Sequence, residues 1–224
     1  MKRALILFLL LATVASIQAA QIKVCLGPMI SSYTGRWPSE IFPAPMGRPT
    51  GLNPFINSRT GTLEGFGIEF PISKRFSLEV DGLYFTMGSM FTESTLIFTF
   101  QREIYDIESL SVPILIKFRP HEGLFPYLLA GVDLGFVLYH ARTSLILPEA
   151  DVIYREIARE DLMLATQKFD MEPVLGIGLE ITVLKQSIFA EVRYRLGLMN
   201  MIQGFPGSAA ARIRSLCFLV GYQM

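Results

Sequence analysis

Charge is scarce in this chain: Asp, Glu, Lys and Arg make up 18% of its 224 residues, with 20 basic residues against 20 acidic ones. Histidine is limited to two residues, cysteine to two and tryptophan to one. Two cysteines are too few for a disulfide framework. A balanced charge leaves no clustered basic face, so nucleic acid is not an expected partner. Long apolar runs are also missing. The longest, Ala4–Ala15, falls short of the roughly 18 residues that a membrane-spanning helix needs. Yet 51% of the residues are hydrophobic and the mean hydropathy is +0.41. That composition excludes disorder and demands some other arrangement of apolar surface.

The first segment explains itself. Lys2 and Arg3 form a basic start, Ala4–Ala15 is an apolar stretch of secretory length, and the small residues Ala19 and Ala20 follow before the polar Gln21 and Lys23. Residues 1–20 therefore read as a signal peptide, with cleavage expected after Ala19 or Ala20. Lys23 and Val24 are the wrong neighbours for lipidation at Cys25. Without Lys2 and Arg3 the remaining chain carries 18 basic and 20 acidic residues, a net charge of −2.

Residues 21–224 repeat with period 2, the period of strands. In Ser187–Asn200, the residues Ile188, Ala190, Val192, Tyr194, Leu196 and Leu198 share one face, while Glu191, Arg193 and Arg195 lie on the other. Leu110–Arg119 sets Leu110, Val112, Ile114, Ile116 and Phe118 against Ser111, Lys117 and Arg119. Pro126–His140 sets Leu128, Ala130, Val132, Leu134 and Phe136 against Tyr127, Gly131, Asp133 and Gly135. The same division recurs in Ile22–Ile30, Leu63–Ile72, Phe76–Tyr84, Met171–Val183 and Leu216–Tyr222. Eight strands are expected.

The connections alternate in length. Ser73–Arg75, Pro120–Phe125 and Leu184–Gln186 read as tight turns, whereas Tyr33–Thr62, Met87–Glu103, Ala141–Lys168 and Gln203–Ala211 are long. Short turns at one end and long loops at the other are the pattern of an outer-membrane barrel. In lipid every backbone group needs an internal partner, so such a sheet must close on itself. The expected fold is all-β, an eight-stranded antiparallel up-and-down transmembrane β-barrel over residues 21–224. Its apolar face meets lipid and its charged face lines the lumen. Phe70, Phe76, Phe118 and Tyr222 would ring the short-turn end, with Tyr84, Phe136 and Tyr194 toward the other. A secreted soluble barrel of the lipocalin kind is the alternative, but an apolar ligand needs an apolar cavity and this inner face is charged.

The stretch LSVPILIKFRP…FPYLLAGVDLGFVL (Leu110–Leu138), followed by GLEITV and IFAEVRYRLGL (Gly178–Val183 and Ile188–Leu198), resembles the porin-family outer-membrane β-barrel domain. The resemblance implies an OmpA/OmpX-like barrel in the bacterial outer membrane. It also implies insertion by the barrel assembly machinery, which in this family reads a final Phe, a residue from which this chain departs. Here the last strand ends Gly-Tyr-Gln-Met, and Tyr222 supplies the aromatic.

Glu69, Glu79, Asp81, Asp133, Glu172, Glu180 and Glu191 fall on the lumen face, with Lys23, Lys117, Arg119, Arg193 and Arg195 as counter-charges. Unpaired buried charges are costly, so a salt-bridge network is expected to fill the barrel; a narrow gated ion path is the sharper reading. Cys25 and Cys217 sit on the first and last strands, both inward, and form a candidate disulfide. His121 falls in a short turn and His140 near the outer rim, so no histidine is placed to activate a nucleophile. No metal-ligand spacing, phosphate loop or dinucleotide fingerprint occurs, so neither catalysis nor a metal or cofactor is expected. The glycines of Gly65-Phe66-Gly67 and Gly176-Ile177-Gly178 read as relief for a crowded lumen. The first long loop holds Trp37, Pro38, Pro43, Pro45, Pro49 and Pro54 and reads as irregular; around Pro148–Asp161 a short helix would set Val152, Ile153, Ile157 and Leu162 on one side and fold over the mouth, with a flexible segment as the alternative. The expected protein is a monomer with a structural or surface-interaction role, or an accessory barrel of a secretion machine. Its expected partners are outer-membrane lipids and an extracellular or periplasmic protein.

Overall fold

A computed structural model describes residues 20–34, 55–94, 100–120, 126–147, 153–183, 186–201 and 212–224. The signal segment, the Trp37 loop, His121, residues 148–152 and the loop at 203–211 lie outside these. The alternation of branched and aromatic residues with small or charged ones forms strands β1 (Gln21–Thr34), β2 (Phe55–Pro71), β3 (Phe76–Ser94), β4 (Phe100–Phe118) and β5 (Pro126–Leu147). They are followed by β6 (Arg155–Asp161), β7 (Phe169–Val183), β8 (Gln186–Leu196) and β9 (Arg212–Gln223).

Every pairing is antiparallel, and β1 bonds to β9 while β4 bonds to β5, so eight strands close into a barrel with β6 outside the ring. At the seam, Val24 lies opposite Tyr222 and Met29 opposite Cys217. Closure is staggered. Lys23 pairs with Gly67 and Gly67 with Asp81; the ladder continues from Pro113 to Asp133 and Glu172, and ends with Ile213 opposite Tyr33. One circuit thus returns ten residues further along β1, which tilts the strands about 35–45° to the barrel axis.

The faces divide as the period requires. Ile22, Val24 and Leu26 are exposed while Lys23 and Cys25 are buried; Ile114 and Ile116 are exposed while Leu115 and Lys117 are buried; Ile188 is exposed while Phe189 is buried. The apolar residues outside form a lipid-facing belt. At its short-turn edge the Phe76 and Phe118 rings pack 4.9 Å apart, and toward the outer edge Phe136 and Phe169 pack 5.3 Å apart.

Three expectations need correction. The outer ends of β2 through β5 run well past the belt: β3 and β4 stay paired out to Ser94 and Phe100, where a loop over Met87–Glu103 was expected. Beyond the lipid no apolar face has to be maintained, so the alternation fades while the backbone ladder continues. Second, the described part of Pro148–Asp161 is not a helix. Arg155–Asp161 pairs instead with β5, from Ala141↔Asp161 to Ile146↔Arg155. Since β7 pairs only with Pro126–Phe136, the outer half of β5 offers a free edge that captures this segment.

The third correction concerns the cysteines. Cys25 lies opposite Gly221 and Cys217 opposite Met29, and both thiols are free and buried. Four residues of strand separate them, roughly 13 Å and far beyond the reach of a disulfide. Alkylation of the unreduced, denatured chain followed by mass measurement should add two labels per chain; a single oxidised mass without label would contradict this register.

Candidate functional site

The inward faces converge on a column of charge in the short-turn half of the barrel. At its lowest level Lys117 Nζ meets Glu69 Oε2 at 3.0 Å and Glu180 Oε2 at 2.8 Å. Arg119 spans the same two acids, at 2.7 Å to Glu69 Oε1 and 2.9 Å to Glu180 Oε2, and donates to Ser77 Oγ. Gln223 Nε2 adds a bond to Glu69. Two cations here balance two carboxylates.

Next comes the centre of the column. Arg193 reaches Glu79 at 2.6 Å and Asp81 at 2.7 Å, and its Nε donates to Glu191 at 2.6 Å. Lys23 pairs with Glu79 and, at 3.1 Å, with Asp81. Tyr127 donates from its hydroxyl to Glu191 Oε1 at 2.7 Å, while its ring lies 4.0 Å from Lys117 Nζ. These groups are essentially sealed from solvent. Two cations face three carboxylates at this level. One step further out, Arg195 alone serves Asp133 at 2.6 Å and Glu172 at 2.9 Å, and its guanidinium lies 4.2 Å from the Phe85 ring. Asp133 Oδ1 has no hydrogen-bond partner among the described residues.

The structure therefore brings together Lys23, Glu69, Glu79, Asp81, Lys117, Arg119, Asp133, Glu172, Glu180, Glu191, Arg193 and Arg195, seven acids against five bases. Backbone spacing sets this up: residues two apart on one strand point the same way, so Arg193 and Arg195 rise through successive levels. Glycines make the room. A Cβ on Gly178 would fall 2.4 Å from the Tyr127 ring, and one on Gly67 would fall 2.0 Å from Asp81 Oδ1. Tyr127 was legible as an inward residue of its strand, but nothing in its local pattern marked it as the bridge between levels.

The outer half of the interior is different, and of it the sequence pattern marks only Leu162, in a segment folding over the mouth. Tyr33, Phe85, Phe91, Tyr105, Ile107, Met29 and Val137 form a buried apolar cluster joined by Leu162 and Met201. Tyr105 meets the Tyr33 ring edge-on at 5.8 Å and Phe91 at 5.3 Å. His140 is not a rim residue; it is buried within this layer, 3.1 Å from the Tyr33 hydroxyl and 2.7 Å from Thr166 Oγ1. Thr166 spends its own proton on the Leu162 carbonyl at 2.6 Å, so it accepts from His140 Nδ1 and leaves Nε2 to accept from Tyr33. The segment Leu162–Gln167 thus folds inward over the mouth, and Gln167 N donates to the Met201 carbonyl.

Removing Arg193 would strand Glu79, Asp81 and Glu191 with Lys23 as their only cation. Arg193→Ala should cost about 3–5 kcal/mol of stability, read as a lower midpoint of heat-modifiable gel migration. Glu172→Gln removes a carboxylate where two share one guanidinium, and should leave that midpoint within about 1 kcal/mol of wild type.

Comparison with known proteins completes this picture. Among solved structures the chain is similar to Ail, the attachment invasion locus protein of Yersinia pestis, in complex with the heparin analogue sucrose octasulfate. The identity is 13% and the TM-score 0.39, covering 92% of this chain and 99% of that one. It is also similar to the outer membrane protein OprG from Pseudomonas aeruginosa (10% identity, TM-score 0.45, covering 91% and 94%). Neisserial surface protein A matches at 12% identity and a TM-score of 0.37, covering 91% and 96%. No curated protein matches the chain. Residues 18–203 match the family model of the outer membrane protein beta-barrel domain, and with that match spanning most of a closed, outwardly apolar barrel, the chain belongs to the outer-membrane β-barrel family.

Proposed function

We propose that this protein is a closed, non-catalytic barrel whose role is structural or surface-interacting, exercised through the wall that stands beyond the lipid. The observation that carries this reading is the filled interior. Ion pairs occupy the short-turn half, and the Tyr33–Phe91–Tyr105 cluster with its Leu162–Thr166 cover occupies the outer half. Among the described residues an apolar plug stands above a charged one, an arrangement that argues against a wetted route. The buried His140, engaged by Tyr33 and Thr166 within the plug, also supports the non-catalytic reading.

What remains available is the outer surface. The pair β5–β6 projects there, β6 is exposed along its whole length, and Ile153, Ile157 and Leu164 present apolar side chains to solvent. Extended, exposed segments carried by a rigid wall are where barrels and other scaffolds place recognition. Export would use residues 1–20 as a cleaved signal peptide, and the barrel assembly machinery would receive the final strand. The partner of the outer wall would be an extracellular protein or surface.

Purified protein in a planar bilayer should give no resolved conductance steps; steady steps that disappear in Arg193→Ala/Arg195→Ala would establish the ion path instead. Replacing residues 148–161 with a short Gly-Ser turn should keep heat-modifiable migration. The same replacement should bring attachment of expressing cells to a protein-coated surface down to the level of cells without the protein. Undiminished attachment would overturn the surface role of the hairpin.

A further inference from the structure

Around the outer edge of the apolar belt, several outward-facing polar groups of β2 through β6 find partners on the barrel itself. Arg59 pairs with Asp106, the Tyr84 hydroxyl donates to Glu108 at 2.8 Å, and Arg159 donates to the Tyr139 hydroxyl at 2.9 Å. One stripe breaks this rule. On β9 the outward residues run Val220, Phe218, Leu216, Arg214 and Arg212, so an apolar face gives way directly to two arginines. Both arginines are exposed, and neither has a carboxylate partner among the described residues. Arg214 Nε donates to Ser32 Oγ of the neighbouring β1 at 3.2 Å, which orients its guanidinium along the wall without neutralising it. Leu196 lies opposite Arg214 on β8, with Tyr194 exposed two residues below it.

We propose that Arg212 and Arg214 form a binding site for the phosphate groups of a lipid in the outer leaflet, with its acyl chains lying on Tyr194, Leu196 and Leu216. The inference rests on the outer-membrane reading above. Residues two apart on one strand have Cα atoms about 6–7 Å apart on one face, and a pair of arginines so spaced suits a headgroup bearing more than one phosphate. The apolar residues directly beneath them match the chains of the same molecule. A soluble anion would use the arginines and leave this apolar flank unexplained. A lipid uses both. On β2 through β6 Arg59 and Arg159 are held by Asp106 and Tyr139, and the Arg102 guanidinium is covered by the Tyr154 ring at 4.1 Å, so the lipid occupies the β9 side of the barrel rather than a ring around it.

The full chain would be placed in nanodiscs of phosphatidylcholine containing a small fraction of lipid A, and protein-bound lipid counted by native mass spectrometry. Wild type should retain lipid A in preference to its dephosphorylated form. Each arginine contributes about fivefold near an anionic surface, so Arg212→Ala/Arg214→Ala should weaken retention about 25-fold. Arg159→Ala, on β6 and away from the stripe, should behave as wild type. Equal retention by the double variant, or equal retention of the dephosphorylated lipid, overturns the proposal. So does a mass of two chains that vanishes in the double variant, since a second copy would then occupy the stripe. Heat-modifiable migration of every variant distinguishes this failure from a failure of the barrel itself. A chain that inserts and folds without lipid preference rejects only the site.

Discussion

Closure of the sheet between β1 and β9 is the constraint on which everything else depends. A strand edge in lipid would leave a row of N–H and C=O groups without partners, each costing several kcal/mol. The seam removes that edge, with Met224 and Ile22 exchanging backbone bonds of 2.9 and 3.0 Å at its inner end. Once eight tilted strands close, the interior has a fixed and narrow width. Side chains must then fill it, and the inward residues are charged in one half and aromatic in the other.

The two halves solve the filling problem by different physics. In the charged half, long side chains share partners across opposite walls: Arg193 on β8 binds Glu79 and Asp81 on β3. Such pairs return little net stability after desolvation, yet losing one partner is expensive, so they define a single packing arrangement. In the outer half, rings and sulfur atoms fill space by shape, and the buried polar groups are tied in a short relay from Tyr33 through His140 and Thr166 to the Leu162 carbonyl. Together the two layers make the wall rigid. A rigid wall is what an exposed binding edge such as β5–β6 requires.

The strands were legible wherever lipid enforced the alternation. Ile22–Ile30 and Phe76–Tyr84 fall within observed strands, as does Leu110–Arg119 up to Phe118, on the faces that the period assigns. Legibility ended at the outer edge of the belt. Past Leu110 the outward residues of β4 become Glu108 and Asp106, and the pattern no longer distinguishes strand from loop although pairing continues to Phe100. The charged column was legible as a set of inward residues. Which acid meets which base depended on stagger and side-chain length across the lumen, neither of which is encoded locally.

The sequence alone determined that the apolar surface faces outward on alternate residues and that twelve charged groups face one another inside, because a period of two allows no other division. Only the tertiary structure decided that Cys25 and Cys217 stand apart, since a register offset of four residues is invisible until the seam is paired. It also decided that His140 is locked in a plug and that Arg155–Asp161 is a strand. Both depend on where the free outer half of β5 happens to lie, and a free edge recruits whatever backbone comes within reach.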